Sequence, residues 1–445
     1  MAGHSTPEWV EWAILIGVLG VLAVVTFMHP GMNILFYETS GLSEVKSLYE
    51  HGTFPGHGIL VWGEDFYSPG PMYFLLLAVP YAIWPHVLSG YRFIGVLSLL
   101  AGFGLYLIGK RFIGVREGLW AITLYTCSWF VWASRVLNPL ACISLISVLL
   151  LAVTLELIVR RRSGMVMLLL PLFAGALQIQ LSILSVLPAI GWAVVCSRKW
   201  VRKEHVLVGS IVSLLLLMPY LLGGFWRDLP FLMDLPHNVR LERSEPYVKV
   251  LAGTVLLWPR FLSTIRFEPV GSRVVGIATQ MSVWGMSGLW VAGLCYLVRQ
   301  LWKQEQRHRR ELDIFLLLWG LCPFLLWAIS DRLLAFHYLC PAEVGHLLVI
   351  AILAAQLTSS STGPTRHHLL TLWIRRGTSW GLALILVGNL MRSITAFLPG
   401  HAISIPVSYY GFLDSVVLSG HDPLWYRLPR LQEHPLFSQR TIFSQ

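Results

Sequence analysis

Apolar runs of roughly 16 to 25 residues alternate along the chain with short polar connectors. At about 1.5 Å per helical residue, such runs match or nearly match a hydrocarbon core about 30 Å thick. They fall near 10–28, 71–88, 92–109, 118–134, 140–159, 165–180, 181–196, 205–223, 275–298, 312–330, 336–357 and 378–397. The pattern predicts an all-α, polytopic membrane protein. The 71–88 block stands apart, because Pro71, Pro80 and Pro85 interrupt it and Tyr73, Tyr81 and Trp84 dot it. Prolines and interfacial aromatics suit a helix lying in the head-group plane better than one crossing it.

Charge supports that exception. Basic residues cluster between the blocks: Lys110-Arg111, Arg160-Arg161-Arg162, Arg198-Lys199 with Arg202-Lys203, Arg307 with Arg309-Arg310, and Arg375-Arg376. If all the blocks crossed, these clusters would fall on both sides, against the positive-inside rule. Treating 71–88 as interfacial puts all five on one side. The expected topology is therefore about eleven transmembrane helices, with the N-terminus in the cytoplasm and the C-terminus outside. Three regions then face the exterior: a first loop over 30–91, a second region over 224–273 with a possible second interfacial helix, and a tail over 400–445. The membrane domain is expected to span 1–399.

Composition changes the picture only by exclusion. Of the 445 residues, 56% are hydrophobic and 13% charged, where a soluble domain carries about 25% charged residues. That leaves too little polar surface for a water-soluble particle. The net charge of +10 lies in clusters beside spans, the pattern that sets topology and meets anionic head groups rather than nucleic acid. No basic leader with a small-residue cleavage site precedes the first block, which is expected to be a retained anchor. The six cysteines all fall within or beside apolar blocks, without metal-ligand spacing, and are expected to be buried and reduced. No internal repeat is visible.

Candidate chemistry gathers in the first external loop and at the outer ends of later spans. Glu38 opens the loop in Phe36-Tyr37-Glu38-Thr39-Ser40-Gly41, and Glu44, Lys46 and Glu50 follow at helical spacing as a solvated face. Glu64-Asp65 is either a plain polar loop or a weak site for a divalent cation, since adjacent carboxylates suit hard ions. Arg135 and Asn138, after the 118–134 block, either anchor a span terminus or contact phosphate or sugar. Gln178 and Gln180 sit where two short spans meet, and either satisfy backbone at the turn or line a sugar cavity. Asp331, Arg332, His337, Glu343 and His346 cluster around the outer half of one span, with Glu343 and His346 on a shared face. Ionisable groups in lipid are costly and commonly functional, so this cluster either packs helices or holds a lipid phosphate. Glu156 is expected to anchor its span to Arg160.

The order of these motifs resembles the GT-C class of integral-membrane glycosyltransferases, the superfamily of protein O-mannosyltransferases and the lipid A aminoarabinose transferase (glycosyltransferase family 39-like). The resemblance runs from the acidic motif at Glu38, through Tyr67-Ser68-Pro69-Gly70-Pro71-Met72-Tyr73 and Tyr91-Arg92-Phe93, to Ser134-Arg135-Val136-Leu137-Asn138-Pro139. It continues at Gly175-Ala176-Leu177-Gln178-Ile179-Gln180 and Phe336-His337-Tyr338-Leu339, covering 10–200 well and 310–357 loosely. The resemblance implies a polyprenyl-phosphate-linked sugar donor in the membrane, Glu38 as general base on the acceptor, and Arg135, Asn138, Gln178, Gln180, Arg332, His337 and Glu343 around the substrate. Tyr37 stands where the family usually has Asp. Either Glu38 has taken over the base role, or the chain keeps the fold as a silent subunit beside a partner membrane protein. A transporter or flippase would show inverted repeats and broken helices in both halves, which this chain lacks.

Overall fold

A computed structural model describes residues 7–27, 36–55, 58, 70–85, 87–128, 131, 139–223, 226, 273–303, 307–329, 340–358 and 381–382. Among them there is no strand. The helices are α1 (Glu8–Phe27), α2 (Phe36–His51), α3 (Met72–Ile83), α4 (Val87–Phe112), α5 (Val115–Thr126), α6 (Pro139–Val159), α7 (Val166–Ile179), α8 (Leu187–Ser197), α9 (Lys203–Gly223), α10 (Arg273–Lys303), α11 (Arg307–Ile329) and α12 (Cys340–Thr358). Short 3₁₀ turns over Ser163–Met165 and Leu181–Val186 lead into α7 and α8. Among the described residues five helices are long and apolar enough to cross a membrane: α1, α4 from Ser89, α6 from Ala141, α9 and α12. The outward faces of α1, α4, α6 and α9 are apolar, with Val24, Leu100, Leu149, Leu207, Leu214 and Leu222 all exposed. An aqueous protein would not leave such a belt uncovered. The chain is an integral membrane protein. The 378–397 block and the tail from 400 lie outside the described residues, except Gly381 and Leu382.

The block at 71–88 folds as the 12-residue α3 with Pro80 inside it. At about 1.5 Å per residue it reaches only about 18 Å, short of a hydrocarbon core. The two short blocks meeting at Gln180 are 17 residues each, Ser163–Ile179 and Leu181–Ser197. The 3₁₀ segment of the second rises about 2.0 Å per residue, so the pair gains reach without extra residues.

Polar contacts fix the helix directions. Glu11, at the start of α1, accepts hydrogen bonds from Tyr106 and from Lys110 Nζ (2.5 Å) at the end of α4. The N-terminus of α1 and the C-terminus of α4 therefore share one end, and the intervening α2 and α3 make no net crossing. Glu156, at the end of α6, binds Arg111 Nε at 2.5 Å, Arg162 Nε at 3.3 Å and its expected partner Arg160 Nε at 4.0 Å. Ser163 Oγ accepts from the Arg202 backbone N–H (2.9 Å) and lies 2.7 Å from His205 Nδ1, while Arg161 stacks over Trp200. Three basic clusters thus meet at one end of the bundle. Ser128, just past the end of α5, neighbours Glu343 in the first turn of α12, which places the start of α12 at the opposite end. Trp290 meets His346, and Gly293 meets Val349. So α10 runs parallel to α12 and delivers Arg299, Lys303, Arg309 and Arg310 to the basic end as well.

Two packing devices hold the bundle. Between α4 and α5, Gly109 and Gly118 bring backbone against backbone: a Cβ on Gly109 would lie 2.5 Å from Gly118 Cα, and one on Gly118 would lie 2.6 Å from the Tyr106 carbonyl. Small residues permit this approach. At the centre stands α12, buried from Cys340 to Ala355 and touched by α5, α6, α10, α11 and the Leu181–Val186 turn. Gly345 makes room for the Trp319 ring, whose Nε1 donates to the Pro341 carbonyl at 2.8 Å. Four cysteines are buried as expected, but Cys295 is exposed on α10 and Cys196 is half-buried. All six are free.

Gly118→Val has no side-chain give to exploit, because its new atoms would meet backbone. It is expected to cost upwards of about 3 kcal/mol, read as loss of a monodisperse peak in detergent. Gly164→Val, at a position with open space around it, is expected to leave that peak unchanged.

Candidate functional site

The basic end joins several of its charges in pairs, whereas the opposite end buries a carboxyl that has no hydrogen-bond partner among the described residues. Here α5 ends at Tyr125-Thr126, followed by Cys127-Ser128, and α12 begins with Cys340-Pro341-Ala342-Glu343. Glu343 is fully buried. Neither carboxyl oxygen has a hydrogen-bond partner among the described residues, and the nearby Ser128 Oγ is likewise unpaired at ordinary hydrogen-bond geometry. Tyr125 and Cys340 lie in the same neighbourhood. The Tyr125 hydroxyl is 3.1 Å from Ser98 Oγ on α4, with Ser144 of α6 within reach. A polar seam thus runs between α4, α5, α6 and α12 and terminates at an unsatisfied carboxyl. Leaving such a group buried costs about 1–3 kcal/mol or more, a cost associated with ligand or catalytic roles when it occurs inside a membrane.

His346 does not join Glu343, although three-residue spacing predicts a shared face. Its Nε2 donates to the Gly320 carbonyl at 2.8 Å, and its ring stacks on Phe324 and meets Trp290 edge-on. Helical spacing of three leaves about 60° between the side chains. That angle suffices for Glu343 to approach α5 while His346 packs between α10 and α11.

Gln178 is buried on α7, where its Nε2 donates to the Leu216 carbonyl of α9 at 2.9 Å. That carbonyl lies one turn before Pro219, whose ring and missing N–H loosen the helical ladder. Gly70 presses on the same carboxamide: its φ is +96°, and any Cβ there would collide with Gln178. Gln178 therefore ties together α7, α9 and the residues that introduce α3. Gln180 is extended (φ −157°, ψ 122°) and half-buried; its N–H closes α7 on Ala176, and its carbonyl starts the next 3₁₀ turn.

Glu38 is the third residue of α2, with its side chain outside the described residues. The same helix buries Val45 and carries the expected Lys46–Glu50 pair at 3.8 Å. Arg135, Asn138, Arg332, His337, Glu64 and Asp65 lie outside the described residues. Among the described residues no group of three His, Cys, Asp or Glu side chains is placed to hold a metal ion. Ser98, Tyr125, Ser128 and Ser144 were not singled out by sequence. A hydroxyl inside an apolar span was their only signal, and it does not separate a packing residue from a site.

No family model matches the chain, and no curated protein matches it. Among solved structures it is similar to ArnT from Cupriavidus metallidurans bound to undecaprenyl phosphate, with TM-score 0.55, 13% identity, and coverage of 94% of this chain and 82% of that one. The apo state of the same protein gives 0.52, 14%, 92% and 80%. The oligosaccharyltransferase AglB from Archaeoglobus fulgidus, in complex with an inhibitory peptide and a dolichol-phosphate, gives 0.49 and 11% identity; this chain spans only 56% of its length. The fold is GT-C-like, as the order of motifs leads one to expect.

Replacing Glu343 with Leu removes an unpaired carboxyl from the core. The expected outcome is a gain of about 1–3 kcal/mol, seen as a higher Tm in detergent, together with loss of function. A fall in Tm would show that Glu343 is a structural group.

Proposed function

We propose that this chain is a membrane glycosyltransferase that moves a sugar from a polyprenyl-phosphate carrier to an acceptor at the outer membrane face. The observation that carries the proposal is the likeness in fold, over nearly the whole chain, to a protein solved with undecaprenyl phosphate bound. The topology expected from charge belongs to the same proposal: about eleven spans, the basic end in the cytoplasm, and the orphan-carboxyl end outside. A lipid-linked sugar enters there from the outer leaflet.

In this reading Glu38 takes the proton from an acceptor hydroxyl. The acceptor oxygen then bonds to the anomeric carbon as the bond from that carbon to the phosphate oxygen breaks, and the lipid phosphate leaves with the electron pair. A positioned carboxylate base contributes about 10²–10⁴-fold. Arg135, Asn138, Arg332 and His337 hold the phosphate, and Glu343, Gln178 and Gln180 bound the sugar side. Glu64 and Asp65 supply a weak site for a divalent cation, whose charge would offset that of the phosphate. Tyr37, in the position the family usually fills with Asp, favours a second reading: a GT-C-like subunit without activity that binds lipid within a larger complex.

Purified protein in liposomes, supplied with polyprenyl-phosphate sugars and the membrane fraction as acceptor, is expected to release free polyprenyl phosphate. Glu38→Gln should slow that release at least 100-fold with the fold intact. Equal rates for wild type and Glu38→Gln would remove Glu38 from the mechanism. No release by wild type with any donor would favour the silent subunit.

A further inference from the structure

A groove of about 610 Å³ opens on α10, lined by Leu294, Cys295, Val298, Arg299, Trp302 and Lys303. It lies at the basic end of the bundle, away from Glu343 and the proposed donor site. We propose that this groove binds one anionic glycerophospholipid of the leaflet at that end, with its phosphate between Arg299 and Lys303 and an acyl chain along Leu294 and Val298.

Charge and shape carry the assignment together. Arg299 and Lys303 stand one helical turn apart, and neither has an ion-pair partner among the described residues. At this end Lys110, Arg111, Arg160 and Arg162 each have an acidic partner. Like charges at this spacing repel by a few tenths of a kcal/mol, a repulsion that an anion between them removes. Beneath the cations the groove is apolar. Above Val298 the exposed Val291 and Trp284 continue at seven-residue intervals along the same outward stripe. Trp302 is 88% exposed, placed beside the cations as an indole sits at head-group level. A free phosphate would use the cations and leave this stripe without a role. A diacyl lipid fits both halves, and its size suits a pocket within the usual 300–1,000 Å³ range for small ligands.

The full chain is reconstituted in nanodiscs of phosphatidylcholine containing a minor fraction of phosphatidylglycerol, and lipids that survive transfer to detergent are counted by native mass spectrometry. The expected result is one retained phosphatidylglycerol per chain, at least fivefold depleted in the Arg299→Gln/Lys303→Gln variant. Arg198→Gln/Lys199→Gln, another exposed basic pair, should retain it. A higher Tm in discs with phosphatidylglycerol than without should likewise vanish only in the first variant. Three results would overturn the proposal: equal retention by both variants, retention of phosphatidylcholine as readily as phosphatidylglycerol, or a stably bound protein chain released by Trp302→Ala. None of them depends on glycosyl transfer, so failure here leaves the donor-site reading standing, and the reverse also holds.

Discussion

Helices surrounded by lipid gain little by hiding apolar side chains from one another, because the acyl chains are as apolar as leucine. Their association depends on close packing and on polar groups that find partners. The architecture follows from that constraint. Gly109 and Gly118 let α4 and α5 touch along their backbones. On α12, Gly345 receives Trp319, while Gly320 of α11 and Gly293 of α10 admit His346 and Val349. A helix enclosed from Cys340 to Ala355 is the result, and the others are arranged around it. By contrast α9 leaves Leu207, Leu214 and Leu222 exposed, an apolar stripe suited to lipid.

The same constraint divides the molecule into two unlike ends. At the basic end several charges are turned into connections. Glu11 joins α1 to α4, and Glu156 gathers arginines from the ends of α4 and α6. Ser163 ties the start of α7 to the start of α9. These groups stabilise the connections between spans. At the other end Glu343 is fully buried, and neither of its carboxyl oxygens has a hydrogen-bond partner at ordinary geometry among the described residues. Proteins retain unsatisfied groups of that kind where function opposes stability, which is why the site is sought there.

Much of this order was legible in the chain. Hydropathy located nearly every described helix, and the distribution of Lys and Arg led to the expectation that 71–88 is not an ordinary span. The contact between Glu11 and Lys110 gives the same answer from geometry. Spacing along one helix was a weaker guide. It paired Glu156 with Arg160, whereas the shortest contact comes from Arg111, 45 positions away in sequence and adjacent only after α4 and α6 pack. It also joined Glu343 to His346, which different neighbouring helices separate. The partners of Gln178, Leu216 and Gly70, are both distant in sequence. The seam of Ser98, Tyr125, Ser128 and Ser144 was invisible for the same reason, since a hydroxyl acquires its meaning from partners on other helices.

The central claim is that a lipid-linked donor occupies the end where Glu343 lies. Mass spectrometry of the gently purified protein, with its extracted lipids identified by mass, tests it most directly. The account predicts a polyprenyl phosphate, with or without its sugar, in one-to-one ratio with the chain. Glycerophospholipid alone, with no polyprenyl species above the level of the surrounding membrane, would contradict it.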